Sequence, residues 1–232
     1  MRPFHGITLE YNKENNHYHG LIVTGATMRK RPEEQVEVIE IEGRNGSLVD
    51  RLGTYHSYER SFILSNFRRE EMNRVHTWLS GRGVLRTSDD KGGFFYADVL
   101  EVMERKLIGR EHNNLEVLFL VDPFFYLDQG EQVLNIDKTT RLHNMGTITS
   151  RPYLKVYGSG NGQLIIADQV MNLSNIDEYI EIDSKLMICH KDRLPTGRQM
   201  EGDFPVLPTG YFVISFSGGI TRVELTPRWC EL

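Results

Sequence analysis

Two β-rich domains, the first carrying one helix, are the fold class this sequence predicts. Apolar and polar residues alternate with a period of two in segment after segment, residues 69–80 alone follow the helical period, and Gly- or Pro-marked turns fall between the segments. The length of 232 residues admits one large or two modest domains. At 39% hydrophobic and 25% charged, the composition is that of a globular chain and excludes disorder, collagen and coiled coil as whole-chain readings.

In residues 35–42, Val36, Val38, Ile39 and Ile41 are set against Glu37, Glu40 and Glu42, with one slip of parity between Val38 and Ile39. The slip predicts a β-bulge or a strand covered on both faces. Gly43-Arg44-Asn45-Gly46 supplies a turn, and residues 58–64 form a further strand. Residues 69–80 place Met72, Val75 and Leu79 at helical spacing beside Trp78. Asn66 is the expected N-cap, Glu70 and Glu71 suit the positive end, and Gly81 stands where a C-terminal cap belongs. The reading is one helix of about three turns packed by its apolar stripe on a sheet. Residues 84–87 and 94–102 then form a hairpin across Ser88-Asp89-Asp90-Lys91-Gly92-Gly93, and residues 115–121 continue the sheet into Asp122-Pro123-Phe124-Phe125-Tyr126. Pro123 ends that strand because it lacks an N–H donor.

Polarity rises at Gln129-Gly130-Glu131-Gln132, so the domain boundary is placed near residue 133, giving domains 1–133 and 134–232. The second is β throughout: residues 153–157, a Gly158-Ser159-Gly160-Asn161-Gly162 turn, then 163–166, 179–183 and 186–189. A last pair, 211–216 and 220–225, is joined across Ser217-Gly218-Gly219. Phe212, Ile214 and Phe216 share one face of that pair, and Tyr211, Val213 and Ser215 share the other. About seven short strands in this length predict a β-sandwich.

The formal charge is −5, with −4 in residues 1–133 and −1 in 134–232. No segment has the basic excess of a phosphate-binding surface, and Arg29-Lys30-Arg31 is followed at once by Pro32-Glu33-Glu34. No sequence-specific nucleic-acid partner is expected. Cys189 and Cys230 make no disulfide framework or close pair, which fits folding in a reducing compartment. The start of the chain lacks the apolar run of a signal peptide, and nowhere do eighteen apolar residues run together, so a soluble, cytoplasmically made protein with no membrane partner is expected.

Candidate chemistry is sparse. His17 and His19 would point the same way on a strand, with His5 or Glu10 as a third metal ligand, but the Asn-rich segment reads as an exposed loop with solvated histidines. Cys189-His190 puts neighbours on opposite strand faces, poor geometry for a nucleophile and its base. Asp89-Asp90-Lys91-Gly92-Gly93 lacks the spacing and closing Glu of a calcium loop and reads as a hairpin tip. The run from Gly158 to Gly162 has Gln163 where a dinucleotide fingerprint needs Gly, and no helix pattern follows. Neither a Gly-x-Ser-x-Gly elbow nor a His-Glu-x-x-His motif occurs, while paired carboxylates stay open because their separations are not readable. The expectation is no catalytic, cofactor-binding or metal-ligating residue, no cofactor, and no enzyme.

Several stretches, taken together, resemble the distal tail (Dit) proteins of long, flexible-tailed bacteriophages, the siphophage tail-component family. In the first half these are Ile41-Glu42-Gly43-Arg44-Asn45-Gly46, Tyr58-Glu59-Arg60, Trp78-Leu79, Phe95-Tyr96-Ala97, and the run Phe119-Leu120-Val121-Asp122-Pro123-Phe124-Phe125-Tyr126. In the second they are Asn144-Met145-Gly146-Thr147, Ser150-Arg151-Pro152, Glu181-Ile182-Asp183-Ser184, Gly202-Asp203-Phe204-Pro205, Leu207-Pro208-Thr209-Gly210 and Thr226-Pro227-Arg228-Trp229. Their order and spacing span nearly the whole chain. The family often has Pro-Gly-Arg-Asp-Gly where this chain has Glu42-Gly43-Arg44-Asn45-Gly46, which keeps the turn chemistry. The resemblance implies a mainly β protein: an N-terminal sandwich- or barrel-like domain with one helix, followed by a galectin-like β-sandwich. It implies a structural protein of the virion tail tip, assembled in the host cytoplasm. Six copies would form a ring at the end of the tail tube, contacting the tube protein and carrying tail-associated, tail-fibre or receptor-binding baseplate components for host attachment. Residues 20–46 are expected to form an arm reaching a neighbouring subunit.

Two other classes compete. One is a carbohydrate-binding module acting through the C-terminal sandwich, the other an enzyme on cell-wall glycans or peptides. Galectins carry His-x-Asn-x-Arg and Trp-x-x-Glu-x-Arg in their sugar site. Here His112-Asn113-Asn114 has Glu116 in the place of Arg, and Trp229 has Glu231 two residues on rather than three. Galectin-type sugar binding is therefore not expected.

Overall fold

The computed structural model describes residues 6–105 and 113–232; His5 and His112 lie outside them. The chain divides into two compact units, Met1–Phe125 with Leu232, and Tyr126–Glu231. Both are built from antiparallel strands, so the protein is mainly β with one α-helix among the described residues.

The first unit contains strands β1 (Leu9–Tyr11), β2 (Glu14–Asn15), β3 (Ile22–Ala26), β4 (Glu34–Glu40), β5 (Ser47–Tyr55), β6 (Tyr58–Phe67), β7 (Arg82–Thr87), β8 (Gly93–Arg105) and β9 (Asn113–Val121), with α1 (Met72–Trp78) between β6 and β7. Seven of them hydrogen-bond in the order β2-β1-β7-β8-β9-β6-β3, while β4 and β5 pair only with each other. Strict alternation in β9, Leu115, Val117, Phe119 and Val121 inward, supplies the centre of the core. The Phe119 ring meets Tyr11 at 5.3 Å and Phe62 at 5.8 Å.

The helix is shorter than the sequence predicts. A 3-10 turn, Arg69–Glu71, leads into α1, whose N-cap is Glu71 with no capping side chain. Asn66 is not the cap: it belongs to β6, at φ 72°, where the ladder to β9 shifts register, and its Nδ2 donates to the Gly20 carbonyl at 2.8 Å. Asn tolerates the left-handed region because its short amide finds a local partner, so the residue that reads as a helix start instead bends a strand end. Val75, Trp78 and Leu79 are buried as expected, and the Trp78 indole N–H donates to the Tyr11 carbonyl at 3.0 Å, fixing the helix on β1.

The second unit follows β10 (Phe125–Leu127) with β11 (Leu134–Ile136), β12 (Thr140–Asn144), β13 (Tyr153–Ile166), β14 (Gln169–Asp183), β15 (Ile188–Lys191), β16 (Leu194–Pro195), β17 (Met200–Glu201), β18 (Gly210–Thr226) and β19 (Cys230–Glu231). The glycine runs do not reverse the chain. Gly158–Gly162 lies inside β13 and Ser217-Gly218-Gly219 inside β18, so the short strands read on either side of each run are single strands of 14 and 17 residues. Likewise, residues 179–183 are the end of the 15-residue β14.

The reason is visible in the register. Gly158 pairs with Ile220 and Gly162 with Gly218, with ladder shifts between, while β14 has Asn175 at φ 51° and Glu178 at φ 63° at the matching level. All three strands therefore bend along one line, and each serves both layers of a sandwich. Backbones approach closely there: a Cβ on Gly219 would sit 1.8 Å from the Ser159 carbonyl oxygen, and one on Gly158 2.3 Å from that of Gly219. One core fills the space between the layers, with Leu154, Val156, Ile180, Ile182, Val223 and Leu225 before or after the fold line and Leu164, Ile166, Met171, Leu173 and Ile214 on its other side.

Candidate functional site

The β4–β5 hairpin is the part of the first unit with no core of its own. Its register sets Val38 opposite Val49 and Ile39 opposite Leu48. Since successive residues point to opposite faces, Val36, Val38 and Val49 fall on one face, and Ile39, Leu48 and Leu52 on the other. All are exposed, Val38 at 58% and Leu52 at 55%. The parity slip between Val38 and Ile39 is thus not a bulge, since pairing is unbroken from Val36 to Glu40. It is the mark of a ribbon that is apolar on both sides.

Polar groups pin the base of this ribbon. Arg51 pairs with Glu34, Thr54 Oγ1 donates to Gln35 Oε1 at 2.9 Å, and Tyr55 meets the Phe124 ring edge-on at 5.9 Å. Of the expected arm, residues 20–46, Ile22–Ala26 is instead β3, paired with β6 in the sheet; the projecting element runs from Glu34 to Tyr55. The β5 half was missed in the sequence, although Leu48, Val49 and Leu52 are the signal that answers Val38 and Ile39.

The residues considered for chemistry are used structurally. His17 and His19 sit in a turn, not on a strand. His17 Nε2 lies 3.3 Å from Thr8 Oγ1. His19 is buried rather than solvated, stacked on Trp78 at 4.3 Å with its Nε2 2.9 Å from Glu14 Oε2. Asn16 explains the Asn-rich segment: fully buried, its Oδ1 accepts from Leu9 N at 2.9 Å and its Nδ2 donates to the Leu21 carbonyl at 2.8 Å. Glu10 is 4.0 Å from Arg86. Among the described residues no three His, Cys, Asp or Glu side chains gather as a metal site would require.

Carboxylates do occur in pairs: two pairs close on a guanidinium, and Asp177 with Glu178 meets the Lys191 ammonium. Arg60, fully buried, reaches Asp90 at 2.5 Å and Asp89 at 3.1 Å, and Thr87 Oγ1 also donates to Asp90. The Asp89-Asp90 tip is therefore held down by the core rather than left as a free polar loop. Arg82 reaches Asp98 at 2.6 Å and Asp122 at 2.5 Å.

In the second unit, Cys189 is buried with Sγ 3.4 Å from Thr196 Oγ1, and burial pushes its thiol pKa up, the opposite of an activated nucleophile. His190 points away from it, with Nδ1 3.1 Å from Glu181 Oε2. Burial also raises Cys230 to about 12. Trp229 is 7% exposed, so its ring offers no face to a sugar.

Family models return no match to this chain, and neither do curated protein sequences. Among solved structures it is similar to the crystal structure of SPP1 Dit (gp 19.1), described as a paradigm of the hub adsorption apparatus in phages infecting Gram-positive bacteria. The TM-score is 0.72 at 13% sequence identity, over 94% of this chain and 98% of that one. The likeness is one of fold and extends through both units.

Proposed function

We propose that this protein is a structural hub of a phage or prophage tail, the distal ring at the tip of the tail tube. The observation that carries the reading is the β4–β5 ribbon, apolar on both faces, in a chain whose fold matches a tail hub protein over nearly its full length. A two-stranded ribbon is marginal alone in water, and its unpaired edges and apolar faces call for a covering surface. A head-to-tail contact in which each ribbon lies on the next copy closes into a ring when its rotation is a whole fraction of a turn, here one sixth. The N-terminal part, to about residue 133, makes these contacts and the C-terminal sandwich is carried by them. The partners are other copies of the chain, the tail tube protein and the tail-associated or receptor-binding components, and the site of action is the virion tail tip after assembly in the host cytoplasm. The protein performs no catalysis in this role and binds neither membrane nor specific nucleic-acid sequence.

Mass measurement by light scattering with negative-stain electron microscopy of the purified protein tests this. Six-membered rings are expected, and a monomer at every concentration would overturn the ring.

A further inference from the structure

The second unit carries an open groove of about 620 Å³, within the range of small-ligand sites. Segments distant in sequence line it: Asn161 and Gln163 at the fold line of β13, Asn172 in β14, Arg198 in the turn before β17, Glu201 in β17, and Ser217 in β18. The backbone beneath is already paired, Gln163 with Asn172 and Ser217, and Asn172 with Glu201.

The side chains are under-used. Gln163 Nε2 donates to Asn172 Oδ1 at 3.0 Å, and Asn161 Oδ1 accepts from Asn175 N at 3.0 Å. That leaves the Gln163 carbonyl oxygen and the amide N–H groups of Asn161 and Asn172 for another partner. Arg198, Glu201 and Ser217 make no side-chain hydrogen bond or ion pair with the described residues. The one cation is balanced by the one carboxylate, which disfavours a phosphate or other anion. Planar amide, guanidinium and carboxylate groups close together offer donors and acceptors side by side. A vicinal diol, each hydroxyl both donor and acceptor, matches that pattern.

We propose that this groove binds a neutral, hydroxyl-rich glycan through Asn161, Gln163, Asn172, Arg198, Glu201 and Ser217. No aromatic side chain lines it, so stacking contributes nothing and affinity is weak, with Kd on the order of 1 mM. The site is unrelated to galectin-type sugar residues and stands whether or not the chain forms a ring.

Titration of the full-length protein with maltotriose, chitotriose and lactose, followed by amide chemical shifts, tests it. At least one is expected to shift the Gly162, Ser174 and Gly218 amides saturably. Arg198→Ala and Glu201→Gln, both at exposed positions without side-chain partners among the described residues, are each expected to weaken that binding about tenfold while leaving the remaining spectrum in place. Absence of shifts with all three sugars, or shifts confined elsewhere, would overturn the proposal. So would saturable binding of glycerol phosphate that Arg198→Ala abolishes, since the groove would then be an anion site.

Discussion

The β4–β5 ribbon and the folded sheet of the second unit are both antiparallel and both rich in aliphatic residues, yet they put those residues in opposite places. In β13, β14 and β18 every second side chain enters one core, and the glycine line lets each strand supply both walls. In β4 and β5 the apolar residues occupy both faces and none is buried. The first pattern closes on itself. The second does not: the same aliphatic area that stabilises a core by about 25 cal/mol per Å² remains in water here.

The contrast breaks first in the core. Leu164→Ala is expected to destabilise the second unit by about 2 to 5 kcal/mol, and Gly219→Ala by about 3, because the added Cβ meets the Ser159 carbonyl. Denaturant melts read both, and a Gly219→Ala protein as stable as the parent would mean that the strands do not cross at this line.

A smaller effect tests the rim of the same unit. Arg228 grips Asp183 with both guanidinium nitrogens, at 2.7 and 3.0 Å. Burial opposes ionisation of Asp183, but hydrogen bonds from Arg228, Leu186 N and Lys185 N outweigh it, and its pKa lies below the usual carboxylate range. A lowered folded pKa gives stability that is present above the unfolded value, about 3.9, and is lost as pH falls through the folded one. Asp183→Asn should therefore cost about 1.5 to 3 kcal/mol at neutral pH, with the gap to the parent closing in acid below about pH 4. A gap independent of pH would remove charge from the explanation.

The ribbon should respond least in stability and most in assembly. Val38→Asp with Leu48→Asp is expected to change the melting of a single copy by no more than about 0.5 kcal/mol, since both side chains are exposed. Ring formation should fail in the same protein. Loss of folding would show that the ribbon packs within its own chain, and intact rings would show that the contacts lie elsewhere.

Much of this was legible in the residues. Alternation located β6, β8 and β9, because period is a local property, whereas the helix is capped at Leu79, two residues before the Gly81 that reads as its cap. The glycine runs were misread because a glycine that bends a strand and one that reverses it look alike over five residues; only the pairing of Gly162 with Gly218 separates them. Asn66 misled for a similar reason: the short amide side chain that suits an N-cap also suits a left-handed residue at a strand irregularity. The ribbon showed as a break in parity, but whether such a break is covered depends on what lies beside it. The groove left no trace, because Asn161, Asn172, Arg198 and Ser217 meet only after the sheet folds.

Chain enters and leaves the second unit at one place: Leu127 N donates to the Trp229 carbonyl at 2.9 Å and Arg228 N to that of Gly130 at 2.7 Å, and Leu134 pairs with Leu225 just beyond. Tension pulling those two ends apart acts across the ladder and reaches its bonds one after another, as a zip opens, instead of loading them together in shear. A unit threaded this way is expected to yield at a lower force than one whose end strands are pulled in shear.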